Sequence, residues 1–185
     1  MDVIPLNYDF NIDMLYLECY NIIDKVKLHE YHNQISLKHT SKDIGNPWYQ
    51  GCGSLKYKFG KDFIEDGELI EQEIKLEQTD FTILNKELEN TYLQKVHDEL
   101  AKDYKFGRMR IMALPHKKCM SMHTDSGKRI HIPIETNENC LMIIDNKVHH
   151  MPANGKAYLV DVSKPHTALN ANHDFLRLHL LFDLI

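Results

Sequence analysis

From Gly107 onward the chain alternates apolar and polar residues with a period of two. The runs RMRIMALP, CMSMH, KRIHIPIE, CLMIID, KVHHMP, KAYLVDV, PHTALN and FLRLHLLFD are short. Between them lie turn-forming stretches that include Pro115–Lys118, Asp125–Gly127, Asp145–Asn146 and Ala153–Gly155. In a strand, successive side chains point to opposite faces, so each run offers one aliphatic and one polar face. Eight such runs in about eighty residues predict an antiparallel sandwich or barrel, such as a jelly roll.

The first half follows a different period. Met14, Leu15, Leu17, Ile22, Ile23 and Val26 fall at helical spacing within residues 12–28, with Asn11 or Asp13 as the cap. A short strand is expected at Ile35–His39, followed by a breaker-rich loop at Gly45–Gly53 that carries the only tryptophan, Trp48. Residues 85–104 predict a second helix, with Leu88, Tyr92, Leu93, Val96 and Leu100 on one side. Its acidic residues come early (Glu87, Glu89) and its lysines late (Lys95, Lys102), as the helix dipole favours. No linker or low-complexity tract divides the chain, so a single domain over residues 1–185 is expected, mainly β with flanking helices.

Composition narrows the class. At 185 residues, 43% hydrophobic and 26% charged, the chain is ordinary for a globular protein. A net charge of −5 offers no basic surface for a nucleic-acid backbone, and none is expected as a partner. No stretch approaches the roughly 20 apolar residues that span a bilayer, so no membrane partner is expected either. The start MDVIPLNYDF lacks the features of a signal peptide. Cys19, Cys52, Cys119 and Cys140 form no CxxC pair and read as free thiols in a reducing compartment, the cytoplasm. The sequence leaves the oligomeric state open.

Histidine changes the picture: there are 12, and eight lie from His116 onward. His123 and Asp125 sit two apart, on one face if the segment is extended, so an imidazole and a carboxylate can approach one metal ion. A third ligand must come from another strand, and His166 in KPHTALN is the natural candidate. Two histidines and one carboxylate on one side of a metal form the facial arrangement of non-haem Fe(II) oxygenases. A lone HxD is more often a polar strand end or turn, and His149 with His150 would point to opposite faces, so that pair is read as non-ligating.

The arginines add a second signal. Arg129 and His131 share one face of KRIHIPI, and Arg177 and His179 share one face of RLHLLF. If the aliphatic faces pack outward, both arginines line the interior, where a guanidinium needs an anion. A dicarboxylate supplies one through paired charge-assisted hydrogen bonds. Arg108 and Arg110 also alternate with Met109 and Ile111; they read either as surface salt-bridge partners or as inward groups facing an anionic substrate.

The ordered series GRMRIMAL…HTD…RIHIPI…MPANGKAYLVDV…PHTALN…RLHLLFD, covering Gly107 to Asp183, resembles the aspartyl/asparaginyl β-hydroxylase branch of the Fe(II)/2-oxoglutarate-dependent oxygenases. Small bacterial and phage relatives and the free-proline hydroxylases are similar. The resemblance implies a double-stranded β-helix (jelly roll, cupin-like) at 107–185, with a mixed α/β portion at 1–106 packed on it and shaping the substrate side. It implies that His123, Asp125 and His166 hold Fe(II). Arg177 would grip the far carboxylate of 2-oxoglutarate, with Arg129 and His131 near its chelating end. The activity implied is hydroxylation of an amino acid or a protein side chain, consuming O2 and releasing succinate and CO2. Animal aspartyl hydroxylases lack the acidic iron ligand that Asp125 provides here, so their peptide substrate does not carry over. The segment between His166 and Arg177 varies in length, which bears on the Arg177 assignment.

Two other classes stand beside this reading. A non-redox jelly-roll module that binds a metal or small acid has no need of both arginines and all three ligands. A zinc hydrolase or isomerase on a cupin-like barrel would favour more histidines. Trp48 and Tyr49 read either as structural or as part of a substrate pocket, and Asn170 either as a turn residue or as a partner of the ligand histidines.

Overall fold

The computed structural model describes residues 2–53, 55–63 and 69–185, with side chains left out of account for 57–63 and 69–73. The chain runs β1 (Val3–Pro5), α1 (Ile12–Val26), β2 (Gln34–Ser36), β3 (Lys38–His39), β4 (Lys56–Phe63), β5 (Leu69–Lys75), β6 (Ile83–Leu84) and α2 (Tyr92–Leu100). It continues through β7 (Phe106–Leu114), β8 (Lys118–Cys119), β9 (Lys128–Glu135), β10 (Cys140–Ile144), β11 (Lys147–His149), β12 (Tyr158–Asp161), β13 (His166–Asn170) and β14 (Arg177–Leu184). The eight runs of period two correspond to β7–β14, although CMSMH keeps only the two residues of β8 and an isolated bridge at His123.

Ten of these strands form a six-stranded antiparallel sheet, β1-β12-β9-β14-β7-β2, facing a four-stranded one, β11-β10-β13-β8, while β3-β6 and β4-β5 pair separately. This is the jelly-roll arrangement, mainly β with flanking helices. Asp145 and Asn146 take positive φ (48° and 61°) in the two-residue turn joining β10 to β11, a conformation these residues tolerate and that matches strand twist.

Alternation sorts the large sheet into two environments. Its outer face carries Met109, Ile111, Ile130, Ile132, Leu178, Leu180 and Phe182, which pack with Leu15, Cys19 and Ile22 of α1 and Leu93, Val96 and Leu100 of α2. Burying each such aliphatic side chain contributes roughly 1.5–3 kcal/mol, making this layer the main source of stability. Asn11 caps α1 by accepting from the Met14 N–H (3.0 Å), and Thr91 caps α2 by accepting from the Gln94 N–H (3.2 Å).

The second helix begins later than its apolar spacing predicts. Asn90 adopts φ 63°, outside helical space, so residues 86–88 form a separate 3₁₀ turn and α2 starts only after Thr91. The expected strand at 35–39 is divided between β2 and β3.

Two register irregularities interrupt β14. One lies against β9 between Leu178 and His179, opposite Pro133, which has no N–H to give a ladder; the other lies against β7 between Phe182 and Leu184. Both sit beside inward polar residues.

Candidate active site

The inner face of the large sheet presents Gln34 (β2), Arg108, Arg110 and Met112 (β7), Arg129 and His131 (β9), and Arg177, His179, Leu181 and Asp183 (β14). Apart from Arg129, the charged and histidine side chains among these are buried. Across from them, β13 supplies His166, and the segment before β9 supplies His123 and Asp125. His123 and His166 form a two-way backbone bridge (His123 N–H to His166 O 3.0 Å; His166 N–H to His123 O 2.8 Å), and the Asp125 N–H donates to Val162 O (2.9 Å). These main-chain bonds bring residues 43 apart in sequence side by side.

Among the described residues, one ligand atom from each of His123, Asp125 and His166 lies within 4.8 Å of the others. Asp125 Oδ2 is 3.5 Å from His123 Nε2 and 3.8 Å from His166 Nε2. Each imidazole is oriented the same way. His123 Nδ1 contacts the Ser121 carbonyl (2.7 Å) and His166 Nδ1 the Lys164 carbonyl (2.9 Å). A carbonyl only accepts, so each Nδ1 carries the proton and each Nε2 turns a lone pair toward the shared centre. Burial, opposed by the Lys164 carbonyl, and the nearby His123 ring hold His166 below the ordinary imidazole range, which keeps that lone pair free. Two neutral nitrogens and one carboxylate oxygen, all converging, are a donor set that fits Fe(II).

Arg129 folds back on this group. Its Nη2 donates to Asp125 Oδ2 (2.7 Å) and its Nε to Asp183 Oδ1 (2.5 Å). Asp183 also accepts from Arg110 Nη2 (2.5 Å) and Arg108 Nη2 (3.4 Å), so three guanidinium groups meet one buried carboxylate. Burial alone would push Asp183 up, but Arg110, Arg129 and Arg108 outweigh it and hold the carboxyl well below the usual range. Burial would lower Arg129, yet Asp183 and Asp125 raise it.

Beyond the triad, a narrow cavity of about 30 Å³ runs between the sheets, lined by Arg177, His131, His179 and apolar residues including Met112, Met142 and Leu181. Among the described residues, three buried nitrogens there, Arg177 Nε, His131 Nε2 and His179 Nε2, find no hydrogen-bond partner. His131 and His179 touch through their Nδ1 atoms (3.4 Å). Burial first, then Arg177, pushes both far below the ordinary histidine range, so they are neutral. Burial also pulls Arg177 down to about 10. Native interiors seldom leave buried polar atoms unmatched, and a guanidinium beside two imidazole Nε2 atoms that find no partner among the described residues fits a carboxylate ligand.

A wider cleft of about 410 Å³ is lined by Tyr31, His32, Gln34, Arg108, Arg110 and Arg129 together with His123 and Asp125. Gly107 lets its floor form: a Cβ there would lie 2.0 Å from the Gln78 carbonyl oxygen, whereas the bare backbone admits the Gln78 turn, whose Oε1 accepts from Arg108 Nε (3.3 Å).

Other expected residues stand apart. Trp48 packs against the main core, and the Tyr49 hydroxyl donates to the Val26 carbonyl (2.9 Å); neither lines the cavity or the cleft. Buried Asn170 clamps β13 by donating to the Leu114 and Phe175 carbonyls (2.9 and 2.7 Å), a structural role. Asp183 is the participant that the sequence reading passed over. Its signal was available, since it shares the inward parity of Arg177 and His179.

A jelly roll carrying two histidines and a carboxylate that converge, with a buried arginine in the cavity behind them, is the arrangement of the 2-oxoglutarate- and Fe(II)-dependent oxygenase class. A solved structure described as an oxidoreductase of the 2OG-Fe(II) oxygenase family, from Burkholderia pseudomallei, superposes with a TM-score of 0.51 over 98% of this chain and 82% of that one, at 11% identity, a likeness of fold. The profile of the aspartyl/asparaginyl beta-hydroxylase family matches residues 74–185, and the chain belongs to that family. It is thus a hydroxylase of the Fe(II)/2-oxoglutarate type. Among the described residues no helix is long and apolar enough to cross a membrane.

Proposed function

We propose that this protein hydroxylates an amino acid or a protein side chain, converting R–H, 2-oxoglutarate and O2 to R–OH, succinate and CO2. The observation that carries this reading is the coincidence of the converging His123–Asp125–His166 set with a buried Arg177 in the adjoining cavity whose Nε finds no hydrogen-bond partner among the described residues. His123 Nε2, Asp125 and His166 Nε2 would hold Fe(II). When bound with its cosubstrate, the metal supplies the activation of O2 for oxidative decarboxylation and C–H oxidation.

The chain's own contribution is placement. The Ser121 and Lys164 carbonyls fix both histidine tautomers, and Arg129 restrains Asp125 against rotation. Arg177 takes the far carboxylate of 2-oxoglutarate, and His131 and Arg129 serve the chelating end. Methionine, alanine and leucine side chains around the cavity exclude water, which strengthens each charge-assisted bond. Residues 1–106 shape the outer cleft as part of one domain with the jelly roll, since Tyr31, His32 and Gln34 form its wall.

The test is anaerobic loading with Fe(II) and 2-oxoglutarate, addition of O2 with amino acids and peptides supplied, and measurement of succinate. Succinate that depends on both Fe(II) and 2-oxoglutarate is expected. Its absence from folded, iron-loaded protein would contradict the reading.

A further inference from the structure

We propose that Asp2 is a positioning residue for the metal site: its carboxylate anchors Lys164 and so fixes the turn on which His123, Asp125 and His166 converge. This rests on the functional reading above and adds to it a residue that touches none of the ligands yet sets their geometry.

The connection between β12 and β13 meets all three ligands through its backbone. The Val162 carbonyl accepts from the Asp125 N–H (2.9 Å), and His166 exchanges two main-chain bonds with His123 (3.0 and 2.8 Å). The Lys164 carbonyl accepts from His166 Nδ1 (2.9 Å) and so decides which way that imidazole faces. Any rotation of the backbone at residues 163–165 moves this carbonyl and the ring with it. Whatever holds this short stretch is therefore part of the metal site.

Most of its ties are local. Asp161 Oδ1 accepts from the Ser163 N–H and hydroxyl (3.1 and 2.5 Å), and the Pro165 carbonyl accepts from the Asp145 N–H (2.9 Å). The Lys164 side chain reaches much further, to a residue 162 positions away. Its Nζ donates to Asp2 Oδ1 (2.7 Å), while Lys147 Nζ donates to Asp2 Oδ2 (3.1 Å). Asp2 is itself held at the main chain. Its carbonyl accepts from the Asp161 N–H (2.9 Å), continuing the ladder by which β1 edges β12.

Exposed ion pairs constrain little, because both side chains keep their freedom. Here the anion is 3% exposed, and two cations and a backbone bond hold it in place, so the Lys164 ammonium is tied to a fixed point. Among the described residues the next carboxylate oxygen, Asp145 Oδ2, is 3.9 Å from Lys164 Nζ and belongs to an exposed side chain. Lys147 supplies the contrast. It pairs with the same carboxylate but lies on β11, whose neighbour β10 carries none of the three ligands. Two lysines of one cluster thus differ in whether they lead to the metal.

Metal-free full-length protein titrated calorimetrically with Mn(II) tests this, together with the visible absorption of the Co(II)-loaded form, which reports ligand geometry. Asp2→Asn and Lys164→Met are each expected to weaken Mn(II) binding about 3- to 10-fold and to shift the Co(II) bands. That is less than the roughly 10–100-fold caused by losing a direct partner of a ligand histidine. Combined, the two changes should cost no more than the larger alone, because both break one tie. Asp2→Glu should restore most of the affinity, and Lys147→Met should keep wild-type affinity and spectrum.

Wild-type affinity and spectrum in Asp2→Asn overturn the proposal, as do additive losses in the double variant. Equal losses in Lys147→Met and Lys164→Met also overturn it, since they mark the cluster as general scaffolding. Should Asp2→Asn fold poorly, Lys164→Met carries the same test with its carbonyl intact. Wild-type protein that binds no Mn(II), or binds it equally well as His166→Ala, overturns the functional reading, and this inference with it.

Discussion

The two faces of the six-stranded sheet are made by the same strands and differ by one residue of parity. Ile130 and Ile132 point outward to the helices while Arg129 and His131 point inward; Leu178 and Leu180 point outward while Arg177 and His179 point inward. The outer face is apolar and closely packed, and its contacts hold the fold. The inner face gathers four arginines, two neutral histidines and a carboxylate, several with unmatched polar atoms. Such a face is a poor source of stability by itself, because buried ions recover their desolvation only through well-placed partners. The jelly roll thus separates stability from chemistry by alternation alone, so the two can be perturbed independently.

The sharpest break of that separation is Asp125→Ala. It removes the carboxylate from the triad and is expected to reduce succinate formation to background, while thermal unfolding of the metal-free protein changes little. Turnover above background in a metal-dependent assay would remove Asp125 from the ligand set. On the opposite face, Leu180→Ala should destabilise by about 2–5 kcal/mol, read as a lower urea midpoint at unchanged slope. Folded Leu180→Ala protein should retain its affinity for 2-oxoglutarate; a change there as large as the loss of stability would show that the faces are not independent.

Arg177→Met lies between these cases. Loss of one charge-assisted interaction worth about 1.5–3 kcal/mol should raise the 2-oxoglutarate requirement roughly 10- to 100-fold. Stability of the unliganded protein should stay level or rise, because methionine fills the cavity without a buried charge. An unchanged 2-oxoglutarate requirement would exclude Arg177 from that site.

The smallest effect concerns pH. His131 and His179 are buried and neutral, with folded-state values well below the ordinary 6.5, so below that pH the unfolded chain binds protons that the folded chain refuses. Stability contributed by these residues is therefore present above about 6.5 and declines as pH falls, by about 1.4 kcal/mol per pH unit for each histidine. Denaturant titrations of metal-free protein between neutral and mildly acidic pH check this, and His179→Leu should halve that part of the slope.

Much of this was legible in the sequence because alternation is a local property. The eight runs placed the strands, and the shared parity of Arg129 with His131 and of Arg177 with His179 followed directly, its inward direction resting on the aliphatic faces packing outward. His123, Asp125 and His166 could be named, but their convergence depends on a backbone bridge between distant segments that no local pattern reveals. Apolar spacing makes the second helix too long because Leu88 continues it, while the left-handed turn at Asn90 that ends the continuity is a single-residue event. Asp183 was missed for a related reason. Its parity is visible, but its meeting with three arginines follows from the register shift beside Leu184 and from the sheet order that puts β14 between β7 and β9. The choice between surface and interior for Arg108 and Arg110 likewise needed the Gln78 turn and the close approach that Gly107 permits.

The measurement that bears most directly on the account is a crystal structure of the protein with Mn(II) and an inert 2-oxoglutarate analogue. The metal is expected on His123 Nε2, Asp125 and His166 Nε2, with the far carboxylate of the analogue on Arg177 in the inner cavity. A metal held by other residues, or an analogue whose far carboxylate lies away from Arg177, would contradict it.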